Sequence, residues 1–393
     1  MEMKYVQDQE LNKKVEVIIE ELKHDLITNF KPQSIILSGS FGRGDASLVE
    51  KNGRPVFLSD CDISIIPYWY VFNRNKVNKF ELNFYKKTGL KINIWGGSLS
   101  FYLLFPYLNK WLKPTMASYD LKYGSRVIYG KNYLKKIPEF KPKEIPLWEG
   151  IRLLFNRMAE ALEHFSFVSP NEMMVFWIDK IILACQDALL LSLGRYHASP
   201  IVRNELFQRI FPMDFVDLNN ELPNFIDFTI QAMARKSNRK PTINDPLEYW
   251  FDTREICESV FRYLIKKDMG LEFNDFVEFR DGYLSSSKIK EYSYSLLSSV
   301  LHQNFMDYLR IVFIFFKPPP LKLILNKIPY KHRIYSAIPL IYFSLLQDGS
   351  VRKDYLNECV KFLALPVGQI DDKPSIKHWE IVKFNLIELW RCI

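Results

Sequence analysis

The chain has 393 residues, 48% of them hydrophobic and 25% charged, with 53 Lys+Arg against 45 Asp+Glu and a formal net charge of +8. That size and balance fit a globular protein of two or three domains, with no tandem repeat or low-complexity tract. The basic excess is mild and scattered, so it is compatible with nucleotides, nucleic acid or an acidic membrane surface and selects none of them.

In chain order, residues 7–29 carry Leu11, Val15, Ile18, Ile19, Leu22 and Ile27 at near-helical spacing, and Pro32 ends that helix. The apolar run Ile35-Ile36-Leu37 predicts a strand that leads into Ser38-Gly39-Ser40 and a small-residue turn, Gly42-Arg43-Gly44. Residues 48–58 read as an inserted hairpin, with Asn52-Gly53 between Val49 and Val56. Ser59-Asp60-Cys61-Asp62 then opens a second apolar strand, Ile63 to Ile66. A helix is predicted near Val77 to Lys87 and a third strand over Leu90 to Trp95, followed by a Gly96-Gly97-Ser98 turn. Residues 99–112 are apolar and aromatic and read as core helix broken by Pro106.

Two carboxylates spaced i, i+2 at the head of a strand project to the same face, with Cys61 turned the other way. Such like charges raise each other's pKa unless a cation sits between them. Mg²⁺ suits the pair, because it takes one or two carboxylates plus phosphates and water. Gly39 lets the backbone approach a phosphate, and the Ser40 hydroxyl and loop N–H groups can donate to it. Arg43 lies within reach of the same loop, with a surface arginine as the plainer alternative.

This order, a Gly39-Ser40 loop after one strand and Asp60-x-Asp62 opening the next, resembles the polymerase-beta-type nucleotidyltransferase superfamily over roughly residues 30–130. The stretch 118–131, a helix and then a short strand ending in Tyr129-Gly130, is similar to a recurring part of that superfamily. The resemblance implies an α+β fold whose catalytic α/β domain has a small mixed sheet. It also implies Mg²⁺ held by Asp60 and Asp62, and a triphosphate, that of ATP, held by Gly39, Ser40, Arg43 and Ser59. A hydroxyl acceptor then displaces pyrophosphate. Two departures stand out. The Ser40–Asp60 gap is long, and Asn93 occupies the place on the third strand where a third carboxylate is expected. Asn93 brings no charge, which favours an alternative: a nucleotide-binding or interaction protein that kept the fold without turnover.

Residues 131–147 hold three prolines and five lysines and read as a linker. The expected domains are therefore a catalytic domain over 1–135, a helical bundle over 147–270 and a helical C-terminal extension over 271–393. Ile151, Leu154, Phe155, Met158, Leu162 and Phe165 mark one helix face, and residues 172–193 form a helix apolar nearly all round, capped by Gly194. The bundle is similar to those of aminoglycoside-type nucleotidyltransferases and HEPN-type proteins. Asp187 in the apolar helix is either a general base for the acceptor or a structural pair with Lys180 or Arg195. Arg157 and His164 match a loose HEPN ribonuclease spacing that also arises by chance. Breaks are expected at Pro212, Pro223, Pro241 and Pro246. The apolar, lysine-studded stretch 309–346 reads as core helices, with peripheral membrane contact as the alternative.

The cysteines (Cys61, Cys185, Cys257, Cys359 and Cys392) are odd in number and far apart, which argues against a disulfide framework or a structural zinc site. A reducing cytoplasm is the expected setting. The charged first residues do not read as a signal peptide, and no apolar run reaches the ~18 residues of a membrane span.

Overall fold

The structure is a computed structural model that describes residues 4–6, 8–51, 54–66, 74–95, 114–236, 243–289, 330–368, 370–371 and 374–393. The expected turns at Asn52-Gly53 and Gly96-Gly97-Ser98, the stretch 99–112, Pro241 and residues 309–329 lie outside that range. The described chain is mixed α+β and mostly helical, with a small mixed sheet. No described helix is long and apolar enough to cross a membrane.

Helix α1 (Gln9–Phe30) starts where the Asp8 side chain accepts the Leu11 N–H, and ends at Lys31, whose φ of 44° turns the chain before Pro32. Its apolar stripe buries Val15, Ile19, Leu22 and Leu26. Strand β1 (Ser34–Ser38) follows, then the short helix α2 (Gly39–Arg43). Strands β2 (Leu48–Lys51) and β3 (Arg54–Phe57) pair antiparallel as a separate two-stranded sheet. Strand β4 (Cys61–Ile66), helix α3 (Arg74–Thr88), strand β5 (Ile92–Trp95), helix α4 (Met116–Tyr123) and strand β6 (Arg126–Gly130) complete the N-terminal part.

The main sheet has the order β5-β4-β1-β6. Strand β1 is antiparallel to β4 and β6, whereas β4 and β5 run parallel, with α3 falling between them in sequence as a parallel pair needs. Strand parity sorts the side chains. Ile35, Leu37, Cys61, Ile63, Ile65, Ile92 and Ile94 join α1 and α3 in one core. Ile36 and Ile66 face the other way, onto Tyr133, Leu134 and Ile137. The same parity carries Ser38, Asp62 and Asn93 to the face opposite α1 and α3.

The chain divides into two compact units. The first comprises Met1–Pro146, Leu193–Arg209 and Ile230–Thr242, and the second Leu147–Ser192, Ile210–Thr229 and Ile243–Ile393. Side chains tie the later segments into the first unit. The Tyr196 hydroxyl donates to the Asp120 carboxylate at 3.1 Å, and the Ser47 hydroxyl donates to the Lys236 carbonyl.

The second unit is helical. Its helices include Trp148–His164, Glu172–Ser192, Pro246–Met269, Tyr330–Tyr342 and Ile376–Trp390. One of the expected proline breaks is corrected: Pro212 lies inside the helix Pro200–Asp214. Pro246 does mark a break, since it opens its helix behind the Asp245 cap, where its missing N–H costs no intrahelical bond. Residues 332–345 are buried in this unit. His332 shows the consequence of that burial. Its Nδ1 lies 2.8 Å from the Tyr283 hydroxyl, and desolvation, helped by the Lys331 charge, lowers its pKa to about 3.

Candidate active site

The site is a polar row across the face of the sheet that α1 and α3 leave uncovered. Register puts Ser38 of β1 opposite Asp62 of β4, and Asp62 opposite Asn93 of β5. The row extends at one end to Ser125, whose hydroxyl donates to Ser38 Oγ at 3.0 Å. At the other end it gathers Asp60, which directly precedes β4. Asn93 Nδ2 lies 3.3 Å from Asp60 Oδ2 and 3.3 Å from Asp62 Oδ1, so one amide bridges both carboxylates. Lys91 Nζ sits 3.0 Å from the same Asp60 oxygen. The intervening Cys61 points into the core, where burial, then the Asp62 and Asp60 charges, push its thiol well above its ordinary pKa.

The loop after β1 reaches this carboxylate pair. Gly39 has φ +62°, and a Cβ built there would stand 2.6 Å from Asp62 Oδ2. Only glycine accommodates both the left-handed backbone and that approach. Ser40 follows in the first turn of α2, half-buried. The structure thus brings Gly39, Ser40, Asp60, Asp62 and Asn93 to one place.

Two other expected site residues have partners of their own. Arg43 Nε donates to Asp45 Oδ2 at 3.2 Å, with 15% and 8% of the two side chains exposed. That contact uses Nε, one of the five N–H donors of the guanidinium. Ser59 Oγ accepts the Ser47 N–H at 2.9 Å, and the Ser47 carbonyl accepts the Leu58 and Ser59 N–H groups. Ser59 therefore fastens the base of the inserted hairpin.

Asp187 belongs to the second unit. It is buried in the helix Glu172–Ser192 and accepts from Gln186 Nε2 at 3.3 Å. Lys180, one proposed partner, has its Nζ 3.8 Å from the Trp177 ring centroid and 4.5 Å from that of Phe176. Of the ribonuclease-like pair, Arg157 bonds Glu160, and His164 stacks on Trp177 at 4.6 Å with Nδ1 2.8 Å from the Glu160 carbonyl.

Sequence reasoning missed two residues that shape the site. Lys91 stands two positions before Asn93, the spacing that would have placed both on one face of the strand. Arg126 reaches the loop from the other side of the sheet. Its Nε donates to the Gly42 carbonyl at 2.5 Å and its guanidinium lies 5.7 Å from the Tyr5 ring centroid. Burial lowers the Arg126 pKa, and Tyr5 offsets part of that shift. No local pattern announces such a clasp.

Among the described residues no group of three or more His, Cys, Asp or Glu side chains converges to hold a metal. Two carboxylates and an amide do converge, and that donor set fits Mg²⁺, which fills its remaining positions with phosphate oxygens and water. A half-turn of the Asn93 amide would present Oδ1 in place of Nδ2.

No family model, no curated protein and no solved structure matches the chain.

Proposed function

We propose that the chain is a nucleotidyltransferase that moves a nucleoside monophosphate, AMP from ATP, onto a hydroxyl of a small molecule or protein. The observation that supports this reading is the contact between Gly39 and Asp62. A glycine-serine loop and a carboxylate pair, remote in sequence, meet so closely that a single methyl group would not fit between them. Asp60 and Asp62 would hold Mg²⁺. The bound ion supplies charge neutralisation on the phosphates and orients the leaving group. Gly39 gives the triphosphate close access to the backbone, and the Ser40 hydroxyl donates to its oxygens. The acceptor oxygen bonds to the α-phosphorus as the bridging bond to the β-phosphate breaks. Pyrophosphate leaves with the electron pair, and the hydroxyl proton passes to solvent water.

The test is a thermal shift with each Mg²⁺–nucleoside triphosphate, comparing wild type with Asp60→Asn/Asp62→Asn. Nucleotide at about 100 times Kd stabilises the protein by roughly 2.7 kcal/mol. A metal-dependent shift that the double variant loses supports the reading. No shift with any nucleotide overturns it.

One observation favours a second reading, a nucleotide binder without turnover. Lys91 and Asn93 already contact the carboxylate pair, and among the described residues the row holds no third carboxylate. Pyrophosphate release separates the two: a binder shows the thermal shift and releases none with any hydroxyl acceptor.

A further inference from the structure

Asp60 Oδ2 takes two donors at once, the Lys91 ammonium at 3.0 Å and the Asn93 amide at 3.3 Å. The lysine is placed by the backbone, because its carbonyl accepts the Cys61 N–H at 2.9 Å and so fixes it beside the carboxylate pair. Its side chain is 64% exposed, so the flexible stem leaves the ammonium able to turn from Asp60 to another anion. Lys91 thus places one positive charge beside the two carboxylates. Sites that hold two divalent ions place them ~3.5–4 Å apart, bridged by shared carboxylate oxygens. Here Oδ2 of Asp60 already faces the Lys91 ammonium, and the neighbouring position on β5 carries an amide without charge. A second divalent ion would meet like charge on one side and a neutral ligand on the other.

We infer that this site takes one divalent cation, and that Lys91 supplies the second positive charge, pairing with Asp60 and meeting the triphosphate once nucleotide is bound. The inference rests on the nucleotidyltransferase reading above. It makes Lys91 a substrate-contacting residue and gives Asn93 a definite role: it bridges the carboxylates without recruiting a further ion.

The experiment counts Mn²⁺ bound per chain, from the electron paramagnetic resonance signal of free Mn²⁺, with saturating α,β-methylene-ATP and correction for the nucleotide alone. Wild type and Lys91→Arg are expected to bind one ion, and Lys91→Met/Asn93→Asp two. Two ions on wild type or on Lys91→Arg, or one on the double variant, overturn the inference and leave the nucleotidyltransferase reading standing. No Mn²⁺ and no nucleotide bound by wild type overturns both. Should the double variant not fold, Lys91→Met alone serves, because its position is exposed. It is expected to bind Mn²⁺ about tenfold more tightly than wild type, and unchanged affinity overturns the inference.

Discussion

Replacing Gly39 by alanine tests the centre of the site, and Gly89 provides the control. Both residues have left-handed backbones, with φ +62° and +72°, but a Cβ at Gly89 meets nothing within 4 Å, whereas one at Gly39 meets Asp62 Oδ2 at 2.6 Å. The backbone term is common to both and amounts to about 1–2 kcal/mol for an L-residue held in that region. It is partly offset by the stiffer unfolded chain of an alanine variant, worth about 0.4–1 kcal/mol. Gly89→Ala should therefore lose on the order of 1 kcal/mol in urea unfolding and keep its affinity for Mn²⁺. Gly39→Ala must in addition push the Asp62 carboxylate back by about 0.8 Å to reach an ordinary carbon–oxygen contact of ~3.4 Å. Mg²⁺-type coordination at ~2.0–2.1 Å does not absorb such a shift. A loss of about 10–100-fold in Mn²⁺ affinity is expected, the usual range when a ligand's support is disturbed. The assay is Mn²⁺ titration of the two folded variants beside their urea curves. Equal stability and equal Mn²⁺ affinity in the two would refute the close approach of Gly39 to Asp62.

Arg126→Ala should cost about 1–3 kcal/mol by leaving the Gly42 carbonyl without its charged donor, and should reduce the nucleotide-dependent thermal shift. A change below about 0.5 kcal/mol would show that the clasp does not support the loop. In the second unit, His332 stays neutral when folded because its pKa falls to about 3, while the unfolded chain takes up a proton near 6.5. The unfolded state then holds more protons across that window. Stability is complete above about pH 6.5 and declines as the pH falls, the loss levelling off near pH 3. Between pH 6 and 5 the slope due to this residue should approach about 1.4 kcal/mol per pH unit. His332→Gln should flatten it, and a slope unchanged by that substitution would contradict the buried neutral imidazole.

Much of the site is legible in the sequence because strand parity is a local property. Asp60 and Asp62 fall on one face and Cys61 on the other whatever surrounds them. Asn93 is found by the same counting on the third strand. The roles of Lys91, Arg126 and Ser59 were hidden for a different reason. Lys91 meets Asp60 only through the parallel register of β5 on β4, and Arg126 meets the loop only because β6 pairs with the far side of β1. Ser59 looks like a nucleotide ligand beside Asp60, yet its oxygen is taken by the Ser47 N–H of the hairpin that the chain inserts. Pro212 misled because the helix runs on past it to Asp214, so its end falls after the proline and not at it. Asp187 remained ambiguous because a buried carboxylate signals expense without naming the partner that meets it.

The composition of the first unit bears on how the protein is made. Its N-terminal segment ends at Pro146, but Leu193–Arg209 and Ile230–Thr242 belong to the same body, with Tyr196 bonded to Asp120 and Lys236 to Ser47. At the ~5–20 residues per second of synthesis, the nascent chain waits for about 5 to 20 s between emergence of Pro146 and of Thr242. For that interval the sheet and the Gly39–Asp62 contact stand without the later segments that complete the unit, while a stretch of the other unit is already outside the ribosome. An arrest or premature stop within this window yields an incomplete unit rather than a freestanding domain, and places the hazard of misfolding early in the life of the chain.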